Sequence, residues 1–575
     1  MLADGTLTAR KFRAPLYFRG ESTRYRSLVS ILVFSLLSGC RANADAHGQQ
    51  GAVVSEVKEC SEHGVEMLKC GGSAADAIIS ATGLCVGTIS AYHSGIGGGG
   101  FMLVRSAQEH GAKYEMIDFR ETMPALGNDT MYSANPDPNA STIGGLALPW
   151  PHLFQRAIKT ARDGYVVDVD LNSALNATIY PFLVNDTLWA EVYAPNGTLA
   201  RLGDTIYRKR YATTLETIAE HGADVFYNGS IANTSSKAAL NAGGILSTAD
   251  LAGYKAILRT PRNITYRNRF RIFSTVAPSS GTVVLSALKI FDAYADFETN
   301  LSTHALIQAT KFGYGQRTTY GDPEFTKNVS QLEGLYLEDS TVEAIRRRLP
   351  LNTTFPPEYY DPSNYTVLVD HGTSHMAAVD RWGNAVSLTT TINQFWGSQV
   401  MTEDGIILND EMDNFSSSNG PSLARNSSVN SIAPFKRPLS SIASSIAEDL
   451  NTGALVMATG AAGGSHIITA TLQNLHNHLD LGASARESVF APRWHDELTP
   501  TTYFEGFGPD GDAAGFAKLG IAAFPNATVE FLRGLWYKVD GMASMSTSHV
   551  IVRSKNGTYE AANDPRRPAG GGSAY

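Results

Sequence analysis

The chain has 575 residues, with 46 Lys and Arg against 55 Asp and Glu for a formal net charge of −9. This is ordinary globular composition, 43% hydrophobic and 18% charged, and it excludes the clustered basic footprint of a nucleic-acid binder. Mean hydropathy is −0.13, and the lack of any apolar run of about 18 residues beyond position 45 excludes a multi-span membrane protein.

The first 44 residues read as a secretory signal peptide or a signal-anchor. Arg10, Lys11, Arg13, Arg19, Arg24 and Arg26 precede the apolar stretch "SLVSILVFSLLSGC", and "RANADA" then supplies the small residues Ala42 and Ala44 that signal peptidase prefers. Sixteen Asn-x-Ser/Thr sequons follow, a density that fits a glycosylated, secreted or membrane-anchored protein whose bulk is lumenal or extracellular. Only Cys60, Cys70 and Cys85 lie beyond the signal, which allows one disulfide and one thiol left over. Neither a paired Cys-x-x-Cys nor a His-Glu-x-x-His spacing is present, so no metal site is expected.

From about residue 52 to 87 the apolar spacing is helical, interrupted by "CGGS" as a glycine stop. "SGIGGGGFMLVRS" leads into a strand, and "KYEMIDFRE" (113–121) alternates with period two. Helical and mixed segments run to about 340, and "FPPEYYDPSNYTVL" (355–368) has linker composition. Beyond it "SHMAAVD", "NAVSLTTTI", "GIILND", "SSIASSIAED" and "ALVMATG" read as strands. This pattern predicts α/β layers built on antiparallel sheets.

"SHMAAVD" and "NAVSLTTTI" flank "RWGN" as a hairpin. Pairing Asp380 with Ala385 places Thr373 opposite Ile392, bracketed by Thr391 and Asn393. Threonines are also ordinary strand residues on a wet face. The preceding Gly372 adds a second meaning. A Thr hydroxyl can attack the carbonyl before it, and glycine there tolerates a strained backbone. Hydrolysis of the resulting ester would free an α-amine on Thr373, with a reference pKa of roughly 7.7–8.0, able to act as base for its own hydroxyl. "GAAGGSHIITAT" (460–471) places Gly463 and Gly464 between a strand and a helix. Their N–H groups could form an oxyanion hole, or simply a tight turn.

Taken together, "GGSAADA", "GIGGGG", "DFRETMP", "GDPEF", "GTSHMAAVD", "TTTINQFWGS", "GIILNDEMDNFS", "RPLSS", "GAAGGS" and "AANDPRRPAGGGSAY" resemble the gamma-glutamyltransferase family over most of residues 52–575. The resemblance implies an Ntn-hydrolase αββα sandwich, with two stacked, mainly antiparallel sheets flanked by helices. It implies a precursor that cuts itself before Thr373 into a large subunit (45–372) and a small subunit (373–575) that stay associated. Thr373 is then the nucleophile, Thr391 its hydrogen-bonding threonine, and Gly463 and Gly464 the oxyanion pair. Arg120, Ser440 and Ser441 match groups on the donor's α-carboxylate, and Asn393 and Glu411 match groups on its glutamyl head and ammonium. Glutathione and other γ-glutamyl compounds are the implied donors, with water, amino acids or dipeptides as acceptors, and without a cofactor. A Cys60–Cys85 disulfide with Cys70 free is implied in the same way. "GIGGGG" lacks the Gly-Lys-Ser/Thr of a phosphate loop and reads as close backbone packing near the site.

One departure stands out. Where the family shows two adjacent aspartates, this chain has Asp413-Asn414, and Asn414 heads a sequon. The alternatives are a related acylase of different acyl specificity, which the amino-acid-binding set of Arg120, Ser440 and Ser441 opposes, and an inactive glycosylated surface homologue, which only Asn414 favours.

Overall fold

The computed structural model describes residues 50–108, 111–127, 147–176, 178–294, 297–361, 372–416, 428–543 and 546–575. The expected signal segment, residues 362–368 of the expected linker and the sequons at Asn128, Asn139, Asn364 and Asn426 lie outside them.

Two sheets form the centre. The first has the strand order Gly571–Ala574, Ala52–Ser55, Thr373–Val379, Ala385–Thr391, Gly99–Gln108, Gly111–Asp118 and Ile257–Arg259. The second runs Tyr559–Asn563, Thr547–Arg553, Leu455–Ala462, Ser445–Asp449, Phe270–Ser274 and Arg262–Tyr266. All pairings in both are antiparallel. Alternation along the strands decides the layers. Ala377, Val379 and Leu103 face Phe273, Ile446, Ala458 and Ile551 in a core between the sheets. Met376, Ala378, Val386 and Leu388 point the other way, into a helical layer that includes Lys58–Lys69 and Trp150–Asp163. Ile272, Ala447, Met457 and Val550 meet Gly281–Phe291, Thr299–Arg317 and His466–Leu479 on the far side. The order helix, sheet, sheet, helix is the αββα sandwich implied by the resemblance.

Both sheets mix strands from before and after residue 372, so the stretches 45–372 and 373–575 are not separate folding units. They share their hydrogen-bond ladders and cores.

Several local expectations change. Residues 52–55 are a strand, and the helices begin at Lys58; "CGGS" does separate two helices, with Ser73 and Asp76 closing a capping box on the second. The hairpin register is shifted by one residue from the expected one and its loop is one residue longer, with Val379 opposite Ala385 and Thr373 opposite Thr391. Asp380 leaves the ladder because its carboxylate accepts the N–H groups of Trp382 and Asn384 and the Asn384 amide, building a five-residue loop. "GIILND" contributes only an isolated bridge between Met401 and Ile407. Pro357–Tyr360 of the expected linker is a short helix with Tyr360 buried. The Cys60–Cys85 disulfide is present, but Cys70 is also disulfide-bonded rather than free.

Candidate active site

Thr373 opens its strand at one end of the sandwich and is 4% exposed. Gly372 before it has a φ of 88°. A Cβ at this position would lie 2.3 Å from the Asn393 carbonyl oxygen, so the left-handed backbone and the crowding both require glycine. The Thr391 hydroxyl, across the ladder, donates to the Gly372 carbonyl at 2.6 Å. That bond polarises the carbonyl which the Thr373 hydroxyl would attack.

Behind the Thr373 strand, on its helical face, the Ser374 hydroxyl donates to Glu56 at 2.5 Å and lies 2.9 Å from His93 Nδ1. Burial pushes the Glu56 carboxyl up to about 7.

From Thr391 a line of hydrogen bonds leads to an ionic cluster. The Asn393 N–H donates to Thr391 Oγ1 at 2.7 Å, and Asn393 Oδ1 accepts the Asn414 amide at 2.9 Å. That same amide donates to Glu411 Oε2 at 2.6 Å, and Glu411 Oε2 lies 2.7 Å from Arg120 Nη1. Glu411 and Asn414 share one face of a single 3-10 turn, three residues apart. Arg120 is fully buried. Its backbone N–H donates to Asp118, and its carbonyl accepts the Tyr254 hydroxyl. Asp413, between Glu411 and Asn414 in sequence, is exposed and accepts the Gln394 amide.

A second buried carboxylate joins the cluster. Glu121 Oε2 is 3.8 Å from Arg120 Nη1. Burial, with the Glu411 charge beside it, raises the Glu121 carboxyl well above the usual range, and Arg120 opposes that shift. The glycines of "GIGGGG" make room here. A Cβ on Gly99 would reach 2.7 Å from the Glu121 carboxyl, and one on Gly98 2.0 Å from the Thr391 carbonyl oxygen.

Ser440 and Ser441 lie on a neighbouring segment. Backbone bonds from Met123 to Lys436 and from Phe435 to Met123 tie it to the Arg120 loop, and Asn430 bridges Leu439 to Asn414. Ser440 Oγ accepts the Ile442 N–H at 3.2 Å, and Ser441 Oγ accepts from Arg317 Nη2 at 3.0 Å. Among the described residues neither hydroxyl donates to an acceptor, so both protons are available to an incoming carboxylate.

Gly463 and Gly464 follow the strand Leu455–Ala462, with φ of 125° and 60°. As this strand advances, Thr459 accepts the Ser387 hydroxyl and Gly460 then abuts His375, which leads the chain toward the Thr373 end of the facing sheet. Neither glycine N–H donates to a backbone carbonyl among the described residues.

All ten residues expected at the site therefore fall on connected segments at one end of the sandwich. Glu121 and Arg317 had no assigned role. Glu121 stands inside the quoted "DFRETMP", directly after Arg120. Arg317 ends the helix Thr299–Arg317, and no motif singled it out. That helix also holds the glycine turn, since the Tyr314 hydroxyl donates to the Ser465 carbonyl at 2.8 Å.

A family model described as Gamma-glutamyltranspeptidase matches residues 60–574. The chain is 40% identical over 570 residues to the glutathione hydrolase proenzyme of Arthroderma benhamiae, covering 91% of this chain and 93% of that one. It is 39% identical over 553 residues to the glutathione hydrolase of Aspergillus flavus, covering 91% and 89% respectively. Among solved structures, a cephalosporin acylase from Bacillus halodurans superposes with a TM-score of 0.74 at 21% identity, over 94% of this chain and 98% of that one. At that identity the likeness speaks for the fold.

Proposed function

We propose, for this chain, which belongs to the gamma-glutamyltranspeptidase family and is an enzyme of its transferase and hydrolase type, that it cleaves the γ-glutamyl bond of glutathione and related donors through an ester on Thr373. The observation that carries this reading is the line of hydrogen bonds from the Gly372 carbonyl through Thr391, Asn393 and Asn414 to the buried Arg120–Glu411 pair. It joins a polarised scissile carbonyl to a site charged for an amino-acid head.

Maturation comes first. The Thr373 hydroxyl attacks the Gly372 carbonyl, the Thr391 hydrogen bond stabilises the developing oxyanion, and the amide nitrogen leaves as the α-amine of Thr373. Water hydrolyses the ester, giving chains 45–372 and 373–575. Their shared sheets hold them together.

In turnover the donor exchanges partners with the resting ion pair. Its α-carboxylate takes Arg120 and the free hydroxyl protons of Ser440 and Ser441, and its α-ammonium takes Glu411 and Asn393. This exchange keeps the buried charges paired, which a buried site requires. The freed Thr373 amine accepts the hydroxyl proton as Oγ attacks the γ-carbonyl. The Gly463 and Gly464 N–H groups meet the oxyanion. The leaving amine, cysteinylglycine in the case of glutathione, takes the proton back. Water or an amino acid or peptide amine then resolves the γ-glutamyl ester.

A secretory route is part of the proposal. Sequon residues Asn263, Asn328 and Asn526 are exposed, and the Cys60–Cys85 disulfide suits an oxidising compartment. Asn414 is 4% exposed with its amide donated twice, which leaves no nitrogen for a glycan.

The test compares γ-glutamyl and glutaryl anilides, which differ only by the α-amino group. Turnover of the first at least about a hundredfold better is expected, because a buried polar site rejects an analogue that leaves its groups unpaired. Equal rates would overturn the amino-acid-head reading.

A further inference from the structure

We propose that His466 is a positioning residue that aims the Gly464 N–H at the reacting carbonyl. The inference rests on the reading of the Gly463–Gly464 pair as oxyanion donors.

The Gly463 carbonyl and the Gly464 N–H belong to one peptide unit. In a planar trans peptide they point in opposite directions. With glycine on both sides, at φ of 125° and 60°, no Cβ restrains the rotation of this unit, and both orientations are accessible to it. The ring of His466 supplies the missing restraint. Its Nδ1 lies 3.0 Å from the Gly463 carbonyl oxygen. A carbonyl only accepts, so Nδ1 carries the proton. Clamping the oxygen on the helix side turns the Gly464 N–H to the opposite side.

The clamp is itself braced. The His466 ring packs against His495, tilted by 45° with centroids 4.0 Å apart. His495 Nδ1 lies 2.8 Å from Thr469 Oγ1, which also donates to the His466 carbonyl at 3.1 Å. Glu497 Oε2 stands 3.4 Å from His495 Nε2. Tyr314 holds the carbonyl of Ser465, two residues further on. The turn is thus held at two carbonyl oxygens while its two glycine N–H groups are left to a ligand.

The experiment uses the processed enzyme with His466→Ala and His466→Asn. The asparagine amide nitrogen hangs from Cγ as Nδ1 does and can restore the donor. Steady-state kinetics on a γ-glutamyl anilide are paired with binding of glutamate and of its γ-phosphonic acid analogue, whose tetrahedral oxygens imitate the oxyanion. For His466→Ala, kcat should fall about tenfold with donor KM nearly unchanged, and phosphonate affinity should fall by a similar factor while glutamate affinity holds. His466→Asn should recover most of both losses. An unchanged kcat in His466→Ala, or an Asn variant no better than Ala, overturns the role of His466. If the wild-type enzyme itself binds the phosphonate no better than glutamate, the oxyanion reading falls and takes this proposal with it. A wild-type preference that survives in His466→Ala removes only His466.

Discussion

On the serine turn, Ser440 and Ser441 accept hydrogen bonds from the Ile442 N–H and from Arg317 and keep their own protons free. In the charged cluster, Arg120, Glu411, Glu121 and Asn414 hold one another, with one guanidinium facing two buried carboxyl groups. The first arrangement is set by donor direction and does not change with pH, since none of the contacting groups titrates near neutrality. The second is set by charge, and its state changes whenever a carboxyl takes a proton or a ligand brings a charge. The difference teaches that part of a charged ligand can be met by preset hydroxyls, while the rest must come between the members of an existing ion pair.

Removing the proposed nucleophile leaves both regions intact and separates binding from chemistry. Thr373→Ala should remain a single chain on denaturing gels and lose about a thousandfold or more of activity. Two chains in that variant would assign the cut to an external protease and take away the main support for Thr373.

Arg120→Ala strikes the charged cluster at its only cation. A charge-assisted hydrogen bond contributes roughly 1.5–3 kcal/mol, so kcat/KM for γ-glutamyl donors should fall by about tenfold to a hundredfold or more. Processing should survive, because the scissile bond carries no free carboxylate. Ser441→Ala should cost less, about tenfold or below in donor KM, because Ser440 and Arg120 remain on the carboxylate. Kinetics that show equal losses at all pH values would erase the distinction between the two regions.

Asn414→Asp sharpens the comparison at the point where this chain departs from its family. The Asn414 amide donates to Glu411, and an aspartate would put a second carboxylate in that place. The free enzyme should lose thermal stability through the like-charge contact, while donor KM should drop severalfold, by on the order of 1 kcal/mol, as the ammonium gains a charged partner. Thermal melts and steady-state kinetics read the two opposite shifts. A glycan on Asn414 in glycopeptide mass spectrometry would place the residue outside the cluster.

The smallest effect concerns pH. Burial and the Glu411 charge raise the Glu121 carboxyl well above its ordinary value of 4.5. The folded chain then holds a proton that the unfolded chain releases. The stability contributed by Glu121 is therefore fully present below 4.5 and is lost as pH rises through the raised value. Glu121→Gln should flatten that loss in melts taken across pH. Donor binding should run the other way, weakening in wild type as Glu121 takes its proton, and weakening less in Glu121→Gln. A wild-type donor KM with the same pH dependence as the variant would remove Glu121 from the binding cluster.

Much of this site was legible before any coordinates. The Gly372-Thr373 step and the polar end of the hairpin are local features, and Thr391, Asn393, Asn414, Glu411 and Arg120 do form one line of contacts. The legible part stopped at direction and pairing. A one-residue slip in the register moved Thr391 opposite Thr373, because the Asp380 carboxylate, and not the Gly383-Asn384 pair alone, organises the loop. Asp413 turned outward while Asn414 turned in, a choice made by one turn of 3-10 helix. Arg317 lies 124 positions from the serine it touches, and no spacing rule reaches that far.

By itself, the sequence determined the elements whose cause is local: period-two strands, the "CGGS" stop, the glycines whose φ or crowding admits no side chain, and the threonine beside one of them. The tertiary structure alone decided that residues before and after 372 share both sheets, that Glu121 faces Arg120 and Glu411, that Arg317 holds a serine from another segment, and that His495 packs against His466. Local elements follow from propensity and steric limits within a few residues. Charge pairing and donor direction inside a buried site depend on which distant segments exclude water together, and only the folded chain brings those segments into contact.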